Sequence, residues 1–459
     1  RDTKLTEMTE AGRLSGSSRV GLTCASVGVI YGYDLSIIAG AQLFVTEDFG
    51  LTTSQQELLT TMVVIGQIAG ALGAGVLANA IGRKKSVVLI LVAYAAFALL
   101  GAFSIALPML LTARFLLGTT IGVMVVVVPV YVAESAPAAV RGALLTTYQL
   151  TIVSGLIVGY LAGYLLADTH SWRLMLGLAV VPVMLLLPMV IRLPDTARWY
   201  LLNGRVDDAR RALLRVEPAA NADEELAEIG RALSEGSGGM SEMLRPPYLR
   251  ATIFVITLGF LLQITGINAI IYYSPRIFEA MGFTGNFALL GLPALVQDAG
   301  LAAVGVALTL VDRVGRRPIL LCGIAMMITA DIVLIVVFAR GLGGAALGLA
   351  GIVLFIIGYT LGFGSLGWVY ASESFPTRLR SIGSSTMLTS NLIANAIVAA
   401  VFLTMLHSLG GPGTFAVFAF LAVVAFGFVY RYAPETKGRQ LEEIRHFWEN
   451  GGRWEDPCP

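Results

Sequence analysis

Charge is what this sequence has least of: Asp, Glu, Lys and Arg make up 13% of its 459 residues. A water-soluble protein carries about 25%, so an ordinary solvated surface is excluded. The formal net charge is +1 and the basic residues sit in short loops, which argues against a nucleic-acid partner. Three cysteines, Cys24, Cys322 and Cys458, stand far apart, so neither a disulfide framework nor a zinc site is suggested. There is no G-x-x-x-x-G-K-[ST] loop to bind ATP. No H-E-x-x-H, G-x-S-x-G or clustered carboxylate or Cys/His set occurs either. No catalytic residue, metal or cofactor is therefore expected. The three histidines, His170, His407 and His446, fall at span ends or in the tail and are read as solvated.

What the chain has is apolar length. Hydrophobic residues make up 56%, glycine contributes 51 residues, and the mean hydropathy is +0.78. No charge falls in the 28 residues between Lys85 and Arg114, nor in the 50 between Arg380 and Arg431. A membrane helix needs about 20 apolar residues, so the second run holds two spans. Twelve spans are expected, near 20–46, 58–78, 86–106, 109–132, 143–167, 173–192, 251–280, 287–311, 318–339, 346–371, 382–407 and 413–431. The polar stretch before the first span, Arg1 to Arg19, is mixed in charge, and the first span reads as a retained helix. All but four of the 31 Lys and Arg fall in the termini and alternate loops. The positive-inside rule then puts both termini in the cytoplasm. The expected organisation is an all-α membrane protein of two six-helix halves, 1–193 and 251–432. A cytoplasmic linker of short amphipathic helices spans 194–250, and a cytoplasmic tail runs from 433 to 459.

The halves repeat. Glu134-Ser135-Ala136-Pro137 leading to Arg141 matches Glu373-Ser374-Phe375-Pro376 leading to Arg380, at an offset of 239. Asn79-Ala80-Ile81-Gly82-Arg83 matches Asp312-Arg313-Val314-Gly315-Arg316 at 233, and Pro194-Asp195-Thr196 matches Pro434-Glu435-Thr436 at 240. Such repeats are the signature of alternating-access transporters. Together with Arg141-Gly142, Gln149-Leu150, Gly266-Ile267-Asn268 and Tyr272-Tyr273, these motifs make the chain similar to the sugar-porter family of the major facilitator superfamily. The resemblance covers the chain from first span to last. It implies a multi-pass plasma (inner) membrane protein, working as a monomer in the lipid bilayer. Its expected partners are a small sugar, hexose or pentose, and protons. A uniporter of a sugar or polyol on the same scaffold is the alternative.

The candidate residues follow. Arg83, Glu134, Arg141, Asp195, Arg316, Glu373, Arg380 and Glu435 sit at helix ends, where they either anchor to headgroups or latch the cytoplasmic side. The resemblance implies latching by pairs across the two halves. Asn79 and Ala80 stand where the family has Asp-Arg, so the first-half latch is expected to be the weaker. Gln149 shares a face with Ile152, and by residue type alone it serves helix packing or substrate equally well. Gln263 and Asn268 would point about 140° apart on a straight helix, so a break at Gly266 is expected to bring them together. The resemblance implies that Gln149, Ile152, Gln263, Asn268, Tyr272, Gly364, Trp368, Asn391 and Tyr31 contact sugar, with Asn395 beside Asn391 and Tyr273 near the outer gate. Leu262, Gly300 and Leu392 depart from the family pattern, each removing a polar or aromatic contact.

Asp34 and Arg114 are the costly pair. Ionised groups inside spans mark function by default, each with the other as partner. A permanent structural ion pair is one reading. The other makes Asp34 the proton carrier, its proton affinity swinging as Arg114 approaches or withdraws, and the resemblance agrees. Asp298 lies close enough to Gly300 in sequence to reach the cavity, and Asp331 reads as either a tolerated residue or one at the lipid edge.

Overall fold

A computed structural model describes residues 19–136, 138–216, 221–234, 236, 239–341, 344–439 and 441–454. Every long regular element among them is helical, because inside a bilayer a chain must satisfy its own backbone groups. Ten segments match one expected span each: Arg19–Phe49, Thr53–Ile81, Arg83–Ala102, Leu107–Ser135, Leu144–Leu165, Trp172–Ile191, Leu249–Ala280, Phe287–Val311, Arg316–Arg340 and Ala345–Glu373. An eleventh, Leu379–Tyr432, is 54 residues long, about 80 Å at 1.5 Å per residue. That length holds two spans. Gly410 breaks it with φ 70 and ψ 179, followed by Pro412. The rings of Phe402 and Phe418, on either side, stack with centroids 6.1 Å apart. A straight helix would separate them by about 24 Å, so the chain turns back on itself and the bundle has twelve spans.

The seventh and tenth spans are locally irregular. The seventh stops at Ile264 and restarts at Ile267, with Gly266 at φ 103. Tyr273 departs again, at φ −120 and ψ 19, two residues before Pro275. The tenth carries a π-turn over Thr360–Gly364, where the Ser365 hydroxyl donates to the Thr360 carbonyl at 2.6 Å. The first and fifth spans meet backbone to backbone: a methyl on Gly32 would strike the Ile152 carbonyl, and one on Gly155 that of Val29. Small residues permit this approach.

The described residues form two compact units. The first holds those up to Ile37, then Ile65–Gly159 and Ser171–Gly236; the second holds Ile38–Val64, Tyr160–His170 and those from Gly239 on. The linker helices Ala197–Leu202, Val206–Val216 and Ala222–Ser234 belong to the first unit and share a core of Ala197, Ala209 and Leu226. Thr196 caps the first of them, its hydroxyl accepting from the Trp199 N–H at 3.3 Å. Asp207 and Asp208 begin the second and Arg215 ends it, each sign set against the helix dipole.

Candidate functional site

Two cation clusters repeat one geometry. In the first unit Gly82 turns the chain at φ 98, and a methyl there would strike the Asp195 carboxylate. That carboxylate accepts from the N–H groups of Arg83 at 3.2 Å and Thr196 at 2.8 Å. The Arg83 guanidinium meets Glu134 twice, Nε to Oε2 and Nη2 to Oε1, both at 3.0 Å. The Thr196 hydroxyl donates to Glu134 at 2.7 Å. In the second unit Gly315 turns at φ 114, and its methyl would lie 2.7 Å from Glu435 Oε2. Glu435 accepts from the N–H groups of Arg316 at 3.0 Å and Arg317 at 3.1 Å, while Arg316 Nη2 lies 3.9 Å from Glu373. Tyrosine hydroxyls finish both: Tyr131 donates to the Pro194 carbonyl, and Tyr370 to that of Pro434. Burial pushes the Asp195 carboxyl up from its ordinary range, against the N–H groups of Thr196, Lys84 and Arg83 and the Arg83 charge.

These pairs each lie inside one unit, a different arrangement from the expected pairing across halves. Arg380 donates from Nε to the Ser372 carbonyl at 2.9 Å. The side chain of Arg141 lies outside the described residues. Asn79 takes part in the first cluster, its amide oxygen accepting from Arg83 Nη1 at 3.1 Å.

The second unit also ties together the helix ends remote from these clusters. Gln42 donates from Nε2 to the Tyr272 carbonyl at 3.1 Å, and Tyr160 donates to that of Ile271 at 2.6 Å. Arg276 Nη2 donates to Gln56 at 3.0 Å, and the Thr404 N–H to Glu57 at 3.3 Å. Thr53 and His407 share a hydrogen bond of 3.2 Å at the exposed end of these helices, where His407 is solvated as expected. The first, second and fifth spans are thus fastened at this end to the seventh and eleventh. Sequence reasoning missed this set. It started the second span at 58, and Gln56 and Glu57 fell outside.

Nearer mid-span, the second unit lines up amides. Gln263 Nε2 donates to Asn391 Oδ1 at 3.3 Å, and Asn391 Nδ2 to the Gly259 carbonyl at 3.4 Å. Past the break at Gly266, Tyr272 Oη accepts from Asn268 at 3.4 Å and from Asn395 at 3.0 Å. The eleventh span, with Asn391 and Asn395 one turn apart, joins the two pieces of the seventh. Gln263 Oε1 and Asn395 Oδ1 have no partner among the described residues. Donors and unspent acceptors in one row suit a ligand rich in hydroxyls. Trp368 is 38% exposed and follows the π-turn that contains Gly364. In the first unit Ile152 is buried, Tyr31 half-buried and Gln149 exposed. There Asp34 and Arg114, 3% and 4% exposed, form an ion pair with Nη1 to Oδ1 at 2.8 Å.

The Sugar (and other) transporter family model matches residues 20–448. The galactose–proton symporter of Escherichia coli is 36% identical over 425 residues, covering 92% of each chain. The chain belongs to the sugar transporter family. The arabinose–proton symporter of the same species is 32% identical, over 93% of this chain and 92% of that one. In fold, it matches the xylose transporter XylE from E. coli, in a partially occluded inward open conformation, with a TM-score of 0.82. That match has 23% identity and covers 93% of this chain and 100% of that one. The protein thus has the twelve-helix, two-half major facilitator fold, in a family of transporters and not of enzymes.

Two further carboxylates lie in the eighth and ninth spans. Asp331 is not at the lipid edge. It is 0% exposed, with neither oxygen partnered among the described residues, on the face of the ninth span that buries Met327, Ala330 and Leu334. Asp298 is exposed, and its neighbour Gln297 is the buried polar group of the eighth span. A methyl on Gly300 would lie 3.7 Å from Gln297 Oε1 and 3.8 Å from Thr360 Oγ1. The nearest atom to that methyl would be Ile356 Cγ2 at 3.0 Å, so Gly300 is closely packed with the two polar groups just beyond.

Proposed function

We propose that this chain takes up a monosaccharide, hexose or pentose, by alternating access in symport with protons. The observation that carries the coupling is the Asp34–Arg114 pair, buried inside two spans at 2.8 Å. A bilayer interior tolerates such a pair where it has a task, and relatives over 30% identical are galactose– and arabinose–proton symporters. Gln263, Asn268, Tyr272, Asn391, Gly364 and Trp368 are proposed sugar contacts, as are Gln149, Ile152 and Tyr31. The arginine clusters act as the latch of the cytoplasmic side. The positive-inside rule supports cytoplasmic termini in a plasma membrane, which makes the end tied by Gln42, Gln56 and Glu57 the outer one. A single chain working as a monomer is part of the proposal.

The test is uptake into liposomes of labelled glucose, galactose and xylose, with and without an inward proton gradient. Accumulation above equilibrium that a protonophore abolishes is expected for at least one sugar. Asp34→Asn keeps the shape and cannot carry a proton, so it should reduce accumulation to about the equilibrium level while sugar exchange persists. Undiminished accumulation by Asp34→Asn would remove Asp34 from the mechanism.

A further inference from the structure

We propose that one buried water, held by Tyr94 and Arg114 beside Asp34, is a fixed part of the proton site. The inference rests on the coupling proposed above.

The first, third, fourth and sixth spans line a partly open cavity of about 10 Å³, the room that a single water needs. Its polar lining is Asp34, Tyr94 and Arg114, and the rest is apolar, with Gly101, Ala113 and Leu117 among it. Two of those polar groups are unspent. Tyr94 is wholly buried with no partner for its hydroxyl, and Arg114 Nε also has none among the described residues. Leaving either dry costs the desolvation of a buried donor. Elsewhere in this unit the Tyr33 hydroxyl donates to the Met175 carbonyl at 2.6 Å, while the buried Tyr148 hydroxyl, like that of Tyr94, has no partner among the described residues.

A buried water typically makes about three hydrogen bonds, and this lining offers three. The water accepts from Arg114 Nε–H, shares a bond with the Tyr94 hydroxyl, and has a hydrogen left for the Asp34 carboxylate. Arg114 Nη1 already holds Asp34 Oδ1, so the water completes a ring around the pair. Tyr94 is then a positioning residue, acting on Asp34 through the water.

Two variants separate the water from the ring that holds it. Tyr94→Phe removes the hydroxyl and keeps the packing. Gly101→Ala takes the water's room: its methyl would meet Ala113 Cβ at 3.6 Å and Leu110 Cδ1 at 3.8 Å, ordinary contacts. Infrared difference spectra of the purified protein across a pH step show the Asp34 carboxyl band, identified by its loss in Asp34→Asn. We expect with it an O–H band that moves when H₂¹⁸O replaces water, and that both variants abolish while their thermal unfolding stays cooperative. Absence of the isotope-sensitive band from the unmutated protein overturns the proposal, as does its survival in either variant. Uptake on the same preparations reads the coupling separately. A protein that shows the water band but never accumulates sugar would sink the symport reading and leave the water site standing.

Discussion

The two arginine clusters share one backbone pattern and differ in their ion pairs. Both place a carboxylate, Asp195 or Glu435, on the N–H groups that start a helix, across a glycine turn with positive φ. Both place a second carboxylate, Glu134 or Glu373, before the arginine. The backbone half of the pattern is preserved because a turn at φ 98 or 114 admits glycine and little else. The ionic half is graded. Arg83 and Glu134 have side chains 7% and 13% exposed and touch at 3.0 Å; Arg316 and Glu373 are 19% and 21% exposed and stand 3.9 Å apart. The repeat keeps the turn and varies the ion pair.

Arg83→Ala should break that comparison most. Removing one partner of a nearly buried pair costs about 3–5 kcal/mol, whereas Arg316→Ala, at a looser and wetter pair, should cost about 1 kcal/mol. Thermal unfolding in detergent measures both, and equal losses would show that burial does not grade the clusters. Next in size are Gly82→Ala and Gly315→Ala. Each forces a side chain into positive φ at roughly 1–2 kcal/mol and displaces a carboxylate, with Gly82 the worse because its methyl overlaps Asp195 more deeply. Melting temperatures of the pair test the order. The smallest effect is that of pH. Burial raises the Asp195 carboxyl above its unfolded value. The stability this adds is present below the unfolded pKa, about 3.9, and is lost as pH rises through the folded one. Asp195→Asn should flatten that slope above about pH 4, and unfolding followed as pH is raised from there would detect it.

Much of this architecture is legible in the sequence. Apolar runs reveal the spans because a bilayer demands them, and the φ of Gly266 is where a glycine between Gln263 and Asn268 suggests a break. The repeat locates both clusters, since its motifs contain the glycine, arginine and carboxylates that meet. What stays hidden is which side of a helix faces inward. The ninth span is apolar all round, so no periodicity tells that Asp331 is enclosed by protein and not by lipid. Glu57 was missed for the opposite reason: a charge at a helix end looks like a loop until Thr404 is seen to donate to it. Within the amide row, Asn395 and Tyr272 form a hydrogen bond across 123 residues of chain, a contact that only the tertiary fold creates.

Gly410 has a consequence for biogenesis. The eleventh and twelfth spans are joined through that one non-helical residue and Pro412, with Phe402 stacked on Phe418 beside the turn. A connection this short gives the eleventh span no slack to settle in the bilayer while its successor is still being synthesised outside it. Insertion of the two as a helical hairpin, in one step, is the expected route, with Asn391 and Asn395 of the amide row on the first arm of that hairpin.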